Sequence, residues 1–166
     1  MQHFRQAVSA VIFQKDQVLL IKRRDIPVFV LPGGGIEPEE TPEEAACREV
    51  LEETGCTVKI VRKVATYTPV NRLAQLTHFF ECEILSGALS QGPETKEIAF
   101  FPLNQLPKLL APPYPGWIAD AVAHHSHVLR KPVEGASYGA LLKNLFLHPI
   151  LISRFLLTKI GIHINH

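Results

Sequence analysis

The chain has 166 residues, a length that suits one domain with a sizeable apolar core. Its formal net charge of +1 gives no basic surplus of the kind that nucleic-acid-binding proteins carry, so we expect no nucleic-acid partner. No run of about 18 uncharged apolar residues occurs, so we expect no ordinary transmembrane helix.

Cysteine usage indicates the compartment. The three cysteines, Cys47, Cys56 and Cys82, are odd in number and include no CxxC spacing. This pattern argues against a disulfide framework or a zinc site and is compatible with a reducing cytosol. Since residues 1–5 also lack a signal pattern, we expect a cytoplasmic protein.

The order of predicted elements indicates the fold class. Strands are predicted at 7–13, 17–21, 28–31, 57–68, 76–85 and 98–101, and a short helix or turn at 104–110. Helices are predicted at 41–54 and 115–129, and Pro32 with three glycines is predicted to form a turn. The order of strands, one helix, strands and a late helix predicts an α/β (α+β) fold, in which helices sandwich a mixed β-sheet.

The first helix has strong signals at both ends. Thr41 is a suitable N-cap, Pro42 suits the first helical position, and Glu44 stands three residues after the cap, which completes a capping box. Gly55 is placed to end the helix in the left-handed conformation. We therefore expect a helix that begins after Thr41 and ends before Gly55.

Three glutamates of this helix share one face. Glu49, Glu52 and Glu53 are spaced i, i+3, i+4, so their carboxylates lie side by side and repel one another unless a cation neutralises them. Clustered carboxylate oxygens suit Mg²⁺ or Mn²⁺. The alternative for a charge run taken alone is a solvated acidic face.

The segment Gly34 to Cys56, GGIEPEETPEEAACREVLEETGC, resembles the Nudix box, G-x5-E-x7-R-E-U-x-E-E-x-G-U, in which U is bulky and apolar. Every fixed polar and glycine position is filled, and the one departure is Cys56 at the last apolar position. Residues 97–107 also resemble the family's later E-x-x-W-x-P-L-x-x-L-P pattern, with Phe100 in place of tryptophan. The resemblance covers about residues 5–125.

The resemblance to the Nudix family implies a Nudix-like α/β/α sandwich and a site for Mg²⁺, with Mn²⁺ as a substitute. It implies that Glu52, Glu53 and the carbonyl of Gly33 bind the metal ion. Glu49 is implied as a further ligand or as the base that activates water, and Arg48 as the residue that orients a carboxylate. Some family members place the base on a later loop, where Glu97 is our preferred candidate and Glu94 the alternative.

Substrate contacts are expected in two segments that precede the acidic helix. Gly34 and Gly35 allow the backbone to approach a ligand closely. Arg23 and Arg24, at the end of the second strand, are candidates for holding distal phosphates, the alternative being a solvated strand end.

The resemblance implies metal-dependent hydrolysis of a phosphoanhydride bond in a nucleoside diphosphate linked to another group. ADP-ribose or a nucleotide sugar, a nucleoside triphosphate and a dinucleoside polyphosphate all remain open as substrates. One alternative is a non-catalytic Nudix-like nucleotide-binding module, which degenerate glutamates would mark. The other is an isomerase of the same fold acting on isopentenyl diphosphate, whose additional cysteine pattern is absent here.

The C-terminal segment differs in composition from the rest. We expect residues 1–130 to form the Nudix domain and residues 131–166 to form an apolar, basic tail. Apolar residues recur at helical spacing over 139–160, which predicts helices packed on the domain or on a second copy in a homodimer. A membrane surface is the less favoured alternative.

Overall fold

A computed structural model describes residues 5–71 and 74–133, together with Ile150 and Ser153. The β-strands are β1 (Gln6–Gln14), β2 (Gln17–Arg23), β3 (Phe29–Val30), β4 (Gly33–Gly35), β5 (Thr57–Thr68), β6 (Leu76–Ser86), β7 (Thr95–Pro102) and β8 (Leu129–Pro132). The helices are α1 (Pro42–Thr54) and α2 (Tyr114–Val122). The predicted tail helices at 139–160 lie outside the described residues.

The strands form a mixed sheet in the order β3-β2-β1-β6-β5-β8, with β4 paired to β1 and β7 to β2. Strand pairs β1–β6 and β5–β8 are parallel, and the others are antiparallel. Strand β1 is central because it pairs with β2, β4 and β6, which explains why its residues 7–12 are all buried. The predicted mixed sheet is confirmed.

The two helices cover opposite faces of the sheet. On one face, Ala45, Ala46 and Val50 of α1 pack into a cluster with residues of β1, β5 and β6. On the other face, Trp117 and Ile118 of α2 pack into a second cluster. This arrangement is the expected α/β/α sandwich, and it fixes α1 against the centre of the sheet.

Helix α1 has the predicted ends. The hydroxyl of Thr41 accepts a hydrogen bond from the Glu44 N–H at 3.2 Å, and the Glu44 carboxylate accepts one from the Thr41 N–H at 2.9 Å. Gly55 has a φ of 74° and donates its N–H to the Leu51 carbonyl at 2.9 Å. These local bonds fix the rotation of the helix, and therefore the direction of its acidic face.

Two predictions were wrong in detail. The glycines after Pro32 form strand β4, because their backbone pairs with β1 in the register Val8↔Gly34. The second helix ends at Val122 rather than at 129, and Leu129–Pro132 is the parallel strand β8, so the predicted domain boundary at 130/131 falls inside this strand. Residues 104–110 contain turns, which is one of the two forms predicted for them. No helix among the described residues is long and apolar enough to cross a membrane.

Thr95 is fully buried, and its hydroxyl has no hydrogen-bond partner among the described residues. An unsatisfied buried hydroxyl costs roughly 1–3 kcal/mol. We therefore expect Thr95→Val, which keeps the shape of the side chain, to raise stability by about 1 kcal/mol in urea unfolding.

Thr54 offers a matched control for this change. Its hydroxyl is equally buried but donates to the Val50 carbonyl at 2.6 Å and accepts from the Cys56 N–H at 3.2 Å. Thr54→Val should destabilise the protein by roughly 1–3 kcal/mol. Equal losses in the two variants would contradict the assignment of an unpaired hydroxyl at position 95.

Candidate active site

The three glutamates of α1 differ in their exposure to solvent. The hydrophobic side of the helix packs on the sheet through Ala46 and Val50, which leaves Glu49 at the edge of the packed region with 14% of its side chain exposed. Glu52, which lies three residues after Glu49 along the helix, has 57% of its side chain exposed. The acidic face therefore contains both buried and solvated oxygen ligands.

Strand β4 lies directly against these carboxylates. The Gly33 N–H donates to Glu53 Oε2 at 2.8 Å. A Cβ atom on Gly34 would stand 2.3 Å from Glu49 Oε1, and one on Gly33 would stand 2.3 Å from the Val8 carbonyl oxygen. A side chain at position 33 would clash with the backbone of β1, and one at position 34 would displace the Glu49 carboxylate, because the strand passes between β1 and the acidic face.

Arg48 makes hydrogen bonds to several groups around the acidic face. Its guanidinium donates to Glu40 at 2.8 Å and 3.0 Å, to Glu49 Oε1 at 3.0 Å and to the Gly35 carbonyl at 2.9 Å. Its Nη1 also lies 3.5 Å from Glu52 Oε1. The predicted orienting contact is present, and Glu40 joins it as a partner that was not among the predicted site residues, although it fills a fixed position of the motif.

Burial changes the acidity of two of these groups. Burial raises the pKa of Glu53 to about 8; the Gly33 N–H opposes this rise, and the charges of Glu49 and Glu94 add to it. Burial also raises the pKa of Glu49 above its ordinary value, against the opposing effect of Arg48. Both carboxylates therefore hold protons more tightly than free glutamate, which is the expected result of clustering acids at a desolvated position.

The donor set fits a shared metal site. Over residues 5–71 and 74–133, no three Asp, Glu, His or Cys side chains are gathered closely enough to enclose a metal ion. Mg²⁺ commonly uses one or two carboxylates and completes its shell with waters and substrate phosphates. Glu49, Glu52 and Glu53 offer hard oxygen atoms, and a cation would offset the burial, and the repulsion by Glu49 and Glu94, that raise the pKa of Glu53. These residues fit a divalent ion that is completed by substrate.

Two predicted site residues lie at the end of strand β2. Arg23 makes a two-pronged ion pair with Asp25, from Nε to Oδ1 at 2.8 Å and from Nη2 to Oδ2 at 2.5 Å. Its positive charge also acts on Glu53. Arg24 is exposed, and its Nη2 lies 3.4 Å from Gln91 Oε1. Arg23 therefore acts on the acidic face through its charge, whereas no hydrogen bond or ion pair joins Arg24 to α1 within residues 5–71 and 74–133.

The two candidate bases of the later loop are placed differently. Glu97 pairs across the strands with Lys22, with 3.5 Å between Glu97 Oε2 and Lys22 Nζ. Glu94 lies in the turn before β7, and its charge acts on both Glu49 and Glu53. Glu97 was the preferred candidate from sequence; Glu94 is the one whose charge reaches the acidic face.

The sequence matches the family described as NUDIX domain over residues 3–121, which is more than half of the chain. The chain belongs to the Nudix family. The predicted membership is confirmed, and the chain is a Nudix hydrolase. Nudix hydrolases generally use a divalent metal ion, and the carboxylate oxygens on α1 are of the type that such an ion prefers.

Two curated Nudix relatives cover similar stretches of the chain. One is the ADP-ribose pyrophosphatase of Methanocaldococcus jannaschii, 39% identical over 113 residues that make up 64% of this chain and 67% of the relative. The other is a putative 8-oxo-dGTP diphosphatase of Bacillus subtilis, 37% identical over 107 residues, or 64% of this chain and 71% of the relative.

Solved Nudix structures share the fold. An ADP-ribose pyrophosphatase from Streptococcus suis has a TM-score of 0.63 at 26% identity, covering 77% of this chain and 98% of the other. A UDP-X diphosphatase has a TM-score of 0.66 at 25% identity, covering 78% of this chain and 68% of the other. The similarity in both cases extends over most of the described residues.

Proposed function

We propose that this Nudix hydrolase cleaves the phosphoanhydride bond of a nucleoside diphosphate linked to another group, with Mg²⁺ as the metal ion. The single observation that carries the proposal is the arrangement around α1. Two largely buried carboxylates, Glu49 and Glu53, lie against the glycine strand, and Arg23 supplies a positive charge beside them. This combination suits a substrate whose phosphates share a divalent ion with the protein.

Each residue has a distinct part in the proposed reaction. A bound Mg²⁺ supplies charge neutralisation at the phosphates and makes water more acidic. Glu52, Glu53 and the carbonyl of Gly33 would hold the ion, and Glu49 would join them or would remove the proton from the attacking water. Arg48 holds Glu49 in place through its hydrogen bond of 3.0 Å.

The raised pKa of Glu49 supports its use as a base, because efficient proton acceptors have pKa values near the working pH. We propose Glu49 as the first candidate base. Glu94 is the second, since its charge acts on Glu49 and Glu53, and Glu97, held by Lys22, is the third.

The names of the relatives support a choice among substrates. The proteins from M. jannaschii and S. suis are both named ADP-ribose pyrophosphatases, and a further solved relative is named UDP-X diphosphatase. We propose ADP-ribose or a nucleotide sugar as the substrate class. The B. subtilis relative supports a nucleoside triphosphate as the second candidate. The intact set of box glutamates argues against a non-catalytic binding module.

A substrate panel tests this proposal. ADP-ribose, UDP-glucose, a nucleoside triphosphate and a dinucleoside polyphosphate would each be incubated with Mg²⁺, with Mn²⁺ and with EDTA, and the products identified by mass. We expect a nucleoside monophosphate and a sugar phosphate from the first two, in the presence of metal only. Turnover in EDTA would contradict metal dependence, and tight binding without turnover of any compound would favour the non-catalytic module.

Two further proposals concern the compartment and the oligomeric state, and fewer observations support them. The described cysteines Cys47, Cys56 and Cys82 are free thiols, which supports a reducing cytoplasm as the compartment. A homodimer through the apolar tail at 131–166 remains a proposal from composition. Sedimentation of the full chain at several concentrations would test it.

A further inference from the structure

The last turn of α1 carries charges that the helix itself disfavours. This turn contains Glu52 and Glu53, two of the proposed metal ligands, and it contains no basic residue. The carbonyl end of a helix has a partial negative charge, so carboxylates placed there are repelled by the helix as well as by each other. Contacts from outside the helix are therefore needed to keep this turn, and the ligands on it, in place.

The loop between β6 and β7, residues 87–94, lies against the end of α1, and we call it the clamp loop. The Ser90 N–H donates to the Thr54 carbonyl at 2.8 Å, which is one of the carbonyls that a helix leaves unpaired at its end. A Cβ atom on Gly55 would stand 2.0 Å from Ser90 Oγ. The clamp loop therefore caps α1 and also touches the residue that ends it.

Gly92 brings the clamp loop against the two ligand positions. A Cβ atom on Gly92 would stand 2.1 Å from the Glu52 carbonyl oxygen and 3.3 Å from Glu53 Cα. A side chain at position 92 would therefore clash with the backbone of the helix, which is not free to give way as the end of a flexible side chain would be. The absence of a side chain at this position lets the two backbones lie in contact.

The far end of the clamp loop is held by other parts of the chain. The Arg24 N–H donates to the Glu94 carbonyl at 3.0 Å, which joins the loop to the residue that follows β2. The Thr95 N–H donates to the Gly92 carbonyl at 3.1 Å and closes a turn. Because these bonds restrain the loop, we expect a side chain added at position 92 to displace the last turn of α1.

We propose that Gly92 is a positioning residue for the metal ion, because it allows the clamp loop to hold the Glu52–Glu53 turn against electrostatic repulsion. The proposal rests on the function proposed above, in which both glutamates bind the ion. Gly92 acts through the backbone of α1 and has no side chain to offer the ion or the substrate. Loss of contacts that support metal ligands typically weakens metal binding by about tenfold to a hundredfold.

Titration of the full chain with Mn²⁺, followed by EPR of the free ion, tests the proposal without requiring turnover. We expect Gly92→Ala to weaken Mn²⁺ binding by about tenfold or more per folded molecule. Gly116→Ala is the glycine control, because among the described residues a Cβ atom there meets nothing within 4 Å beyond its own helix and adjoining residues. Arg62→Ala, which breaks an ion pair with Glu81 beside α2, is the control for lost stability. Both controls should bind Mn²⁺ as the wild type does.

Hydrogen exchange of the wild type gives a second test that needs no variant. If the clamp loop favours metal binding, Mg²⁺ must stabilise the clamp loop to the same extent, because coupling between two sites is reciprocal. We expect saturating Mg²⁺ to slow amide exchange at Ser90 by about tenfold, in line with the expected change in affinity. The hairpin turn at 14–17, at the other end of β2, is the internal control and should exchange at the same rate with and without Mg²⁺.

Three results would overturn the role of Gly92. They are unchanged Mn²⁺ binding in folded Gly92→Ala, equal losses of Mn²⁺ binding in Gly92→Ala and Arg62→Ala, and exchange in the clamp loop that Mg²⁺ does not slow. If Gly92→Ala fails to fold, the exchange of the wild type decides. A wild type that meets these expectations but hydrolyses no substrate would leave the role of Gly92 standing and overturn the proposed hydrolysis. A wild type that binds no Mn²⁺ would overturn both.

Discussion

Glu53→Gln is expected to lower turnover by about a hundredfold or more while making the metal-free protein more stable above neutral pH. The loss of turnover follows from removing a charged metal ligand. The gain in stability has a separate cause, because the wild-type carboxylate must ionise in a desolvated position beside Glu49 and Glu94. The neutral amide avoids that ionisation and can still accept from the Gly33 N–H.

The direction of the pH dependence follows from the raised pKa of Glu53. The Glu53 carboxyl has a pKa of about 8 in the folded protein, against an ordinary value of 4.5. Its preference for the protonated form therefore stabilises the fold fully below pH 4.5, and this stabilisation is lost as the pH rises through 8. Each unit of difference between the folded and unfolded pKa values changes the free energy of unfolding by about 1.4 kcal/mol. The melting temperature of the metal-free wild type should therefore fall between pH 5 and 8.5 by more than that of Glu53→Gln.

Thermal melts in EDTA from pH 5 to 8.5, paired with turnover in Mg²⁺, measure both effects. Glu43→Gln makes the same change at an exposed position in the first turn of α1 and should alter neither. Because metal ligands must be deprotonated, Mg²⁺ should raise the wild-type melting temperature more at pH 8.5 than at pH 6. If Glu53→Gln turned over substrate at the wild-type rate, the assignment of Glu53 to the metal site would be wrong.

Arg48→Ala is expected to reduce both stability and turnover. Glu40 and Glu49, each with 14% of the side chain exposed, would lose the guanidinium that pairs with them. Leaving the Glu49 carboxylate unpaired at this partly desolvated position lowers the free energy of unfolding, by less than the loss of a fully buried ion pair because solvent reaches the carboxylates in part. Turnover should fall about tenfold or more, because Glu49 is then free to turn away from the reacting water.

Arg62→Ala is a closely matched control for Arg48→Ala. Arg62 pairs with Glu81 at 2.7 Å, with 26% and 15% of the two side chains exposed, and also donates to the Ala121 carbonyl at 2.7 Å. Urea unfolding should show similar losses of stability in the two variants, whereas turnover per folded molecule should fall in Arg48→Ala alone. Equal turnover per folded molecule in the two variants would show that Arg48 contributes only a structural ion pair.

Local signals made helix α1 predictable from sequence. The capping box of Thr41 and Glu44 and the left-handed Gly55 act within one turn of the chain, so spacing alone located α1 and its acidic face. The contact between Arg48 and Glu40 also falls within a short segment, and the motif contains both residues. Such features need no knowledge of the remaining fold.

The missed features depend on contacts between distant segments. Strand β4 exists because Gly34 pairs with Val8, and a run of glycines has no side-chain pattern that predicts pairing. Strand β8 follows from its parallel pairing with the distant strand β5, in the register Ala65↔Leu129.

The central claim is that water cleaves a diphosphate at the carboxylate face of α1. Turnover of the preferred panel substrate in water enriched in oxygen-18, with Mg²⁺ and analysis of both products by mass, tests it most directly. We predict that one labelled oxygen enters one of the two phosphate products per cleavage, and that Glu53→Gln forms this product at about a hundredth of the wild-type rate or less. Absence of labelled phosphate product, or equal labelling rates in the two proteins, would contradict the claim.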